Sequence, residues 1–158
     1  MIHQTTQAVS LAFLVLVLAS PRADGADEYR VSDLKWSNNG AYAAVVGVRW
    51  KSARTGETHK TSDTCYPPHW APPGYSHTIP TGQHASCRLQ DVIEKGLSLE
   101  PGDEVWLHIN ILKGDNKSCH KDDIRLIFDP EAKRKGTFSS GGTTLNNNRC
   151  KWRGVEDL

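Results

Sequence analysis

An apolar period of two limits this chain more than any other feature. In the run 42–50, Tyr42, Ala44, Val46, Val48 and Trp50 fall on one side, and Ala43, Val45, Gly47 and Arg49 on the other. Val105, Leu107, Ile109 and Ile111 alternate in the same way with Trp106, His108, Asn110 and Leu112, and Ile124, Leu126 and Phe128 repeat the pattern. Successive side chains of an extended chain point to opposite faces, so each run specifies a strand with one well-buried face. The run 28–36 carries Tyr29, Val31, Leu34 and Trp36 with a break of register near Ser32-Asp33. Ser37-Asn38-Asn39-Gly40 follows it. Asn-Gly favours positive φ, so 28–36 and 42–50 are expected to form a hairpin.

Turn signals punctuate the rest. Thr55-Gly56 leads into a polar edge-like strand around 57–63, and Glu100-Pro101-Gly102-Asp103 makes a tight turn. Residues 88–95 suit a short helix or a strand, and Gly96 stops either. Two short strands at 136–140 and 142–145, separated by Gly141-Gly142, and one at 149–153 after Asn146-Asn147-Asn148 complete the expected set. Many short strands at even spacing read as an all-β fold, an antiparallel β-sandwich, with a small closed β-barrel as the alternative.

The N-terminus bears on location. Residues 8–19 are almost unbroken apolar, too short to span about 30 Å of hydrocarbon but suited to a signal-peptide h-region. The segment MIHQTTQ before it has no Lys or Arg, which departs from the usual pattern. The expected organisation is a signal peptide over 1–25 and a single β domain over 26–158, secreted or periplasmic, with no membrane span after cleavage. In that setting an even number of cysteines reads as disulfides. Cys65, Cys87, Cys119 and Cys150 allow three pairings, and sequence neighbours, Cys65–Cys87 and Cys119–Cys150, are expected. No C-x₂-C pair suggests a zinc site.

With 158 residues, 37% hydrophobic and 23% charged side chains and a net charge of +1, the chain is no multi-domain machine, multi-span membrane protein or strongly basic nucleic-acid binder. Lys133-Arg134-Lys135 with Arg149, Lys151 and Arg153 makes one basic stripe, but nucleic acid is not expected as a partner at this net charge. The catalytic patterns G-x-S-x-G, G-x-G-x-x-G and the P-loop are missing, and Glu57, Asp63 and Glu104 have no reason to converge as paired carboxylates. Ser139–Thr144 reads as a hairpin turn rather than an anion cradle.

The segment most unlike ordinary structure is the loop 65–87. It combines Pro67, Pro68, Pro72, Pro73 and Pro80 with Tyr66, Trp70 and Tyr75 and with His69, His77 and His84. Prolines and a disulfide at the base lower the entropy lost on binding, and exposed rings suit the C–H face of a sugar. The competing reading is a lid over one end of the sandwich. His59, His69, His77 and His84 are metal-ligating types, but their spacings of ten, eight and seven match no ligand motif, so the metal stays unknown and no cofactor is expected. Asp115, Asn116, Asp122 and Asp123 offer oxygen ligands without the EF-hand spacing. The resulting expectation is an exported, non-enzymatic, lectin-like module that binds an extracellular glycan through Tyr66, Trp70, Tyr75, His69 and His77. The alternative is a protein-binding inhibitor or secreted effector or toxin with a secreted protein partner. A histidine-dependent metal or hydrolytic enzyme is the third reading.

Overall fold

The computed structural model describes residues 25–61, 65 and 78–158. The expectations placed on 1–24 and on Tyr66, His69, Trp70, Tyr75 and His77 lie outside the described residues. The elements in chain order are β1 (Asp27–Val31), β2 (Asp33–Asn38), β3 (Ala44–Lys51), β4 (Thr58–Lys60), β5 (Thr78–Ile79), β6 (His84–Arg88), α1 (Leu89–Glu94), β7 (Glu104–Ile111), β8 (Lys117–Ser118), β9 (Ile124–Phe128), β10 (Arg134–Gly141) and β11 (Arg149–Asp157). A larger sheet has the order β1-β9-β7-β3-β4, with β5 added to β3 and β8 to β7; a smaller sheet has the order β11-β10-β2-β6. Both sheets have open edges, so the architecture is an all-β sandwich and not the closed barrel.

The register break at Ser32 is where the chain changes sheets: β1 belongs to the larger sheet and β2 to the smaller. The consecutive strands β9 and β10 make the same passage. The two runs lie side by side, with β1 parallel to β9 and β2 parallel to β10. At the crossing, Ser32 N–H donates to the Arg134 carbonyl at 3.0 Å and Asp129 N–H to the Val31 carbonyl at 3.0 Å. The sandwich is therefore mixed, not wholly antiparallel.

The expected hairpin between 28–36 and 42–50 does not form, because β2 and β3 lie in different sheets. Buried Asn38 holds the intervening bend. Its Nδ2 donates to the carbonyls of Tyr42 (2.6 Å) and Ile79 (3.2 Å), and its Oδ1 accepts from Gly40 N–H at 3.1 Å. Gly40 serves close approach rather than positive φ, since a Cβ there would run into the Tyr42 ring. The C-terminal strands also differ from expectation. Residues 134–141 form one strand, 142–148 turn, and β11 runs on to Asp157 through a bulge at Thr137/Phe138.

Trp36, Trp50, Phe128 and the inward residues of β3 and β7 fill the space between the sheets. Trp36 Nε1 donates to Ser140 Oγ at 2.8 Å, which satisfies the indole inside the core. Cys65 is joined to Cys87 and Cys119 to Cys150. Each bridge clamps one sheet to the other. Cys65 N–H donates to Val46 of β3 and Cys119 N–H to Leu107 of β7, whereas Cys87 and Cys150 lie in β6 and β11 of the smaller sheet. For bridges spanning 22 and 31 residues, the lost loop entropy corresponds to about 3–4 kcal/mol each. Cys119→Ser with Cys150→Ser should lower unfolding stability by about that amount. An unchanged urea midpoint would show that the second bridge does not hold the sheets together.

Candidate functional site

A groove of about 920 Å³ crosses the outer face of the larger sheet. Its origin is local. β7 pairs with β9 only at Glu104↔Ile127, and β8 takes the place beside His108 and Ile109. The chain between them, 119–123, lies along the gap and supplies one wall with His120, Lys121, Asp122 and Asp123; Lys51, Thr58 and Arg125 line other parts, and Glu104 and Trp106 lie on β7.

Charges of both signs face this space. His120 Nε2 lies 3.0 Å from Glu104 Oε1, and its ring meets Trp106 edge-on with centroids 4.8 Å apart. Trp106 is only 8% exposed, so it offers no free ring face. The Ser118 hydroxyl accepts from the His120 backbone N–H at 3.2 Å and so serves the turn rather than the imidazole. On the same side of β3 and β7, Arg49 and Trp106 stand opposite one another, as do Gly47 and His108. Arg49 Nε, Trp106 Nε1 and His108 Nδ1 are buried and meet no hydrogen-bond partner among the described residues. Such a group costs desolvation until an acceptor reaches it.

The two turns at one end of the sandwich form a second feature. The 112–116 turn lies against the 142–148 turn so closely that a Cβ on Gly114 would strike the Thr144 carbonyl. Leu145 is 79% exposed and Leu112 47%.

Of the four histidines considered as metal ligands, His69 and His77 lie outside the described residues. His59 is on β4 of the larger sheet, stacked on Trp50 at 5.4 Å, and His84 is on β6 of the smaller. Among the described residues no group of three or more His, Cys, Asp or Glu is placed to hold a metal ion. Asp115 pairs with Lys117 at 3.7 Å, whereas Asp122 and Asp123 border the groove. Glu104, grouped in the sequence with Glu57 and Asp63 as carboxylates with no reason to converge, pairs with His120; Asp63 lies outside the described residues. Ser139 and Ser140 sit inside β10 rather than in a turn. Sequence reasoning missed Trp106 and His120 as neighbours. The one signal was a Trp on the polar side of the strongest alternating run.

No protein-family model matches the chain, and no curated protein matches it in sequence. Among solved structures it is similar to a disulfide-locked mutant of intermedilysin with human CD59, at 16% identity and a TM-score of 0.37 over 79% of this chain and 24% of that one. A structure described as a trapped toxin gives 16% identity and a TM-score of 0.32 over 80% of this chain and 24% of that one. The membrane-binding domain of pneumolysin gives 17% identity and 0.33, over 80% of this chain and 98% of that one. The chain thus spans about a quarter of the first two. At these scores the likenesses assign no role to any residue here.

The His108 imidazole is held below its ordinary value, first by burial and then by the nearby Arg49 charge; Lys60 adds to this and a hydrogen bond with Asn110 opposes it. Folding therefore disfavours the protonated ring. No penalty exists above the unfolded value of about 6.5, but as pH falls through it the unfolded chain takes up the proton first and stability declines. His108→Asn should flatten that decline between about pH 7 and the folded value below 6.5. Equal pH slopes of the urea midpoint in both proteins would remove His108 as the cause.

Proposed function

We propose that this chain is an exported, non-enzymatic module that binds another protein, as an inhibitor or secreted effector does, through the groove over β7. One observation carries the reading: an open groove with charges of both signs around an indole that is already covered. Lys51 and Arg125 are set against Glu104, Asp122 and Asp123, and His120 takes the edge-on position over Trp106. A neutral pyranose bound by stacking needs a free aromatic face, and Trp106 has none to give. A protein surface offers charges of both signs, which suit the charged rim of the groove.

Two cystines and the apolar leader support a secreted or periplasmic place of action. Tyr66, Trp70 and Tyr75, with His69 and His77, are proposed as a second contact on the loop 65–87, whose ends the Cys65–Cys87 bridge fixes.

The test is affinity capture from extracellular fluid of the protein's own setting. The mature chain should retain one stoichiometric protein, and Lys51→Glu with Asp122→Lys should weaken that capture at least about tenfold, the size of a lost pair of interface charges. A panel of soluble glycans that quenches tryptophan fluorescence, with no protein retained, would overturn the reading in favour of the lectin-like one.

A second reading, membrane contact by an effector or toxin, is favoured by the Leu112 and Leu145 tip alone. Exposed leucines on adjoining turns are suited to a bilayer interface. It predicts co-flotation with phosphatidylcholine vesicles that Leu145→Asp abolishes. Flotation that survives the substitution, or is absent from the start, removes it.

A further inference from the structure

We propose that the outer face of the smaller sheet binds a linear sulfated polysaccharide, anchored in the notch between the 142–148 turn and β11. This surface is separate from the groove, and the inference does not rest on the protein-binding reading.

The register fixes which side chains share this face. Lys35 stands opposite Thr137, Ser37 opposite Ser139, and Ser139 opposite Lys151. Arg149 and Lys151 alternate outward along β11, and Arg153 follows at the bulge. Strand geometry spaces alternate residues by about 6.7 Å and neighbouring strands by about 4.8 Å. Five cations, Lys35, Lys135, Arg149, Lys151 and Arg153, thus form a grid over a floor of hydroxyls.

Their charge is poorly compensated. Lys35 and Lys135 share the Glu156 carboxylate, at 3.8 and 3.5 Å, and Asp33 stands opposite Lys135 on the same face. Arg153 Nε donates to Ser139 Oγ at 2.6 Å, a neutral partner that fixes the guanidinium over the face. Arg149 and Lys151 meet no carboxylate among the described residues. Thr137 is 7% exposed, and its hydroxyl has no hydrogen-bond partner among the described residues. The notch itself measures about 310 Å³ and is lined by Gly141, Gly142, Asn147, Arg149 and Lys151. Two cations beside an open pocket can seat one sulfate group, and the grid leads away from it.

The chemistry of the face selects among polyanions. Among the described residues it presents no Trp, Tyr or Phe on which a base can stack, which disfavours single-stranded nucleic acid. Among the described residues the strands of this face point no large apolar side chain outward to enter a bilayer; exposed Leu145 stands on the turn beside the notch. A hydrophilic chain with repeated sulfates requires neither.

Heparin is the probe, with fully desulfated heparin and a single-stranded oligonucleotide of matched charge as comparison arms. The mature chain should bind heparin in a salt-dependent way and bind both comparison polymers far more weakly. Arg149→Gln with Lys151→Gln should weaken heparin binding at least about tenfold at physiological salt. It should also make log K against log salt shallower by about 1.5, the loss of two ionic contacts. Lys35→Gln with Lys135→Gln, on neighbouring strands, should give a second loss, so the result does not depend on one variant folding. Lys51→Glu in the groove should leave heparin binding unchanged. The inference is overturned if both Gln pairs keep the original affinity and salt slope, or if either comparison polymer binds as tightly as heparin.

Discussion

Two chain segments run through both sheets side by side, and the rest of the fold is arranged around that passage. β1 and β2 form one continuous run interrupted at Ser32, and β9 and β10 form its companion. Parallel pairing needs a long connection, here everything from 39 to 123. That stretch has to supply the remaining central strands, β3 and β7, and return in time to lie alongside β1. The inward apolar residues of β3 and β7 then face Leu34, Trp36 and Phe138 across the sandwich. Burial of these side chains drives the closure, and the two cystines limit how far the sheets can separate in the unfolded chain.

The groove follows from the same arrangement. β9 pairs with β1 along one edge over five register positions but meets β7 along the other at one pair only. The gap is spanned by the short β8 and the chain 119–123, and Cys119 ties that chain to β11. Trp106 is thereby left beside a loop rather than a strand on that edge of β7. Side chains there are set by turn hydrogen bonds and by a disulfide, not by ladder geometry, which is the usual situation for a surface that recognises a partner. The smaller sheet is the opposite case. Its outer face is a ladder broken by one bulge, so its cations form a near-periodic grid beside a smaller notch.

Much of the strand content was legible. The alternation in 42–50, 105–112 and 124–128 marked β3, β7 and β9, and the break of register near Ser32-Asp33 was visible, but not that the chain changes sheet there. The turn at 100–103 was equally plain, and the buried Asp103 carboxylate secures it by accepting from Glu100 N–H at 2.9 Å and Ala53 N–H at 2.8 Å. Ser37-Asn38-Asn39-Gly40 was misleading because the local preference of Asn-Gly for a hairpin gave way to Asn38 bonding Ile79, forty-one residues away. The candidate site was less legible. Trp106 lies on the polar side of its strand, and nothing in the spacing of 104, 106 and 120 announces that a disulfide-tethered turn brings His120 onto both Glu104 and Trp106.

The sequence by itself determined the class of fold, the positions of the main strands and which face of each is buried, because these depend on side-chain period and on local turn chemistry. Only the tertiary structure decided the partners: which strands pair, which run parallel, and where β7 is left open to form a groove. Those outcomes depend on contacts between residues far apart in the chain, and alternation looks the same whichever neighbour a strand finds.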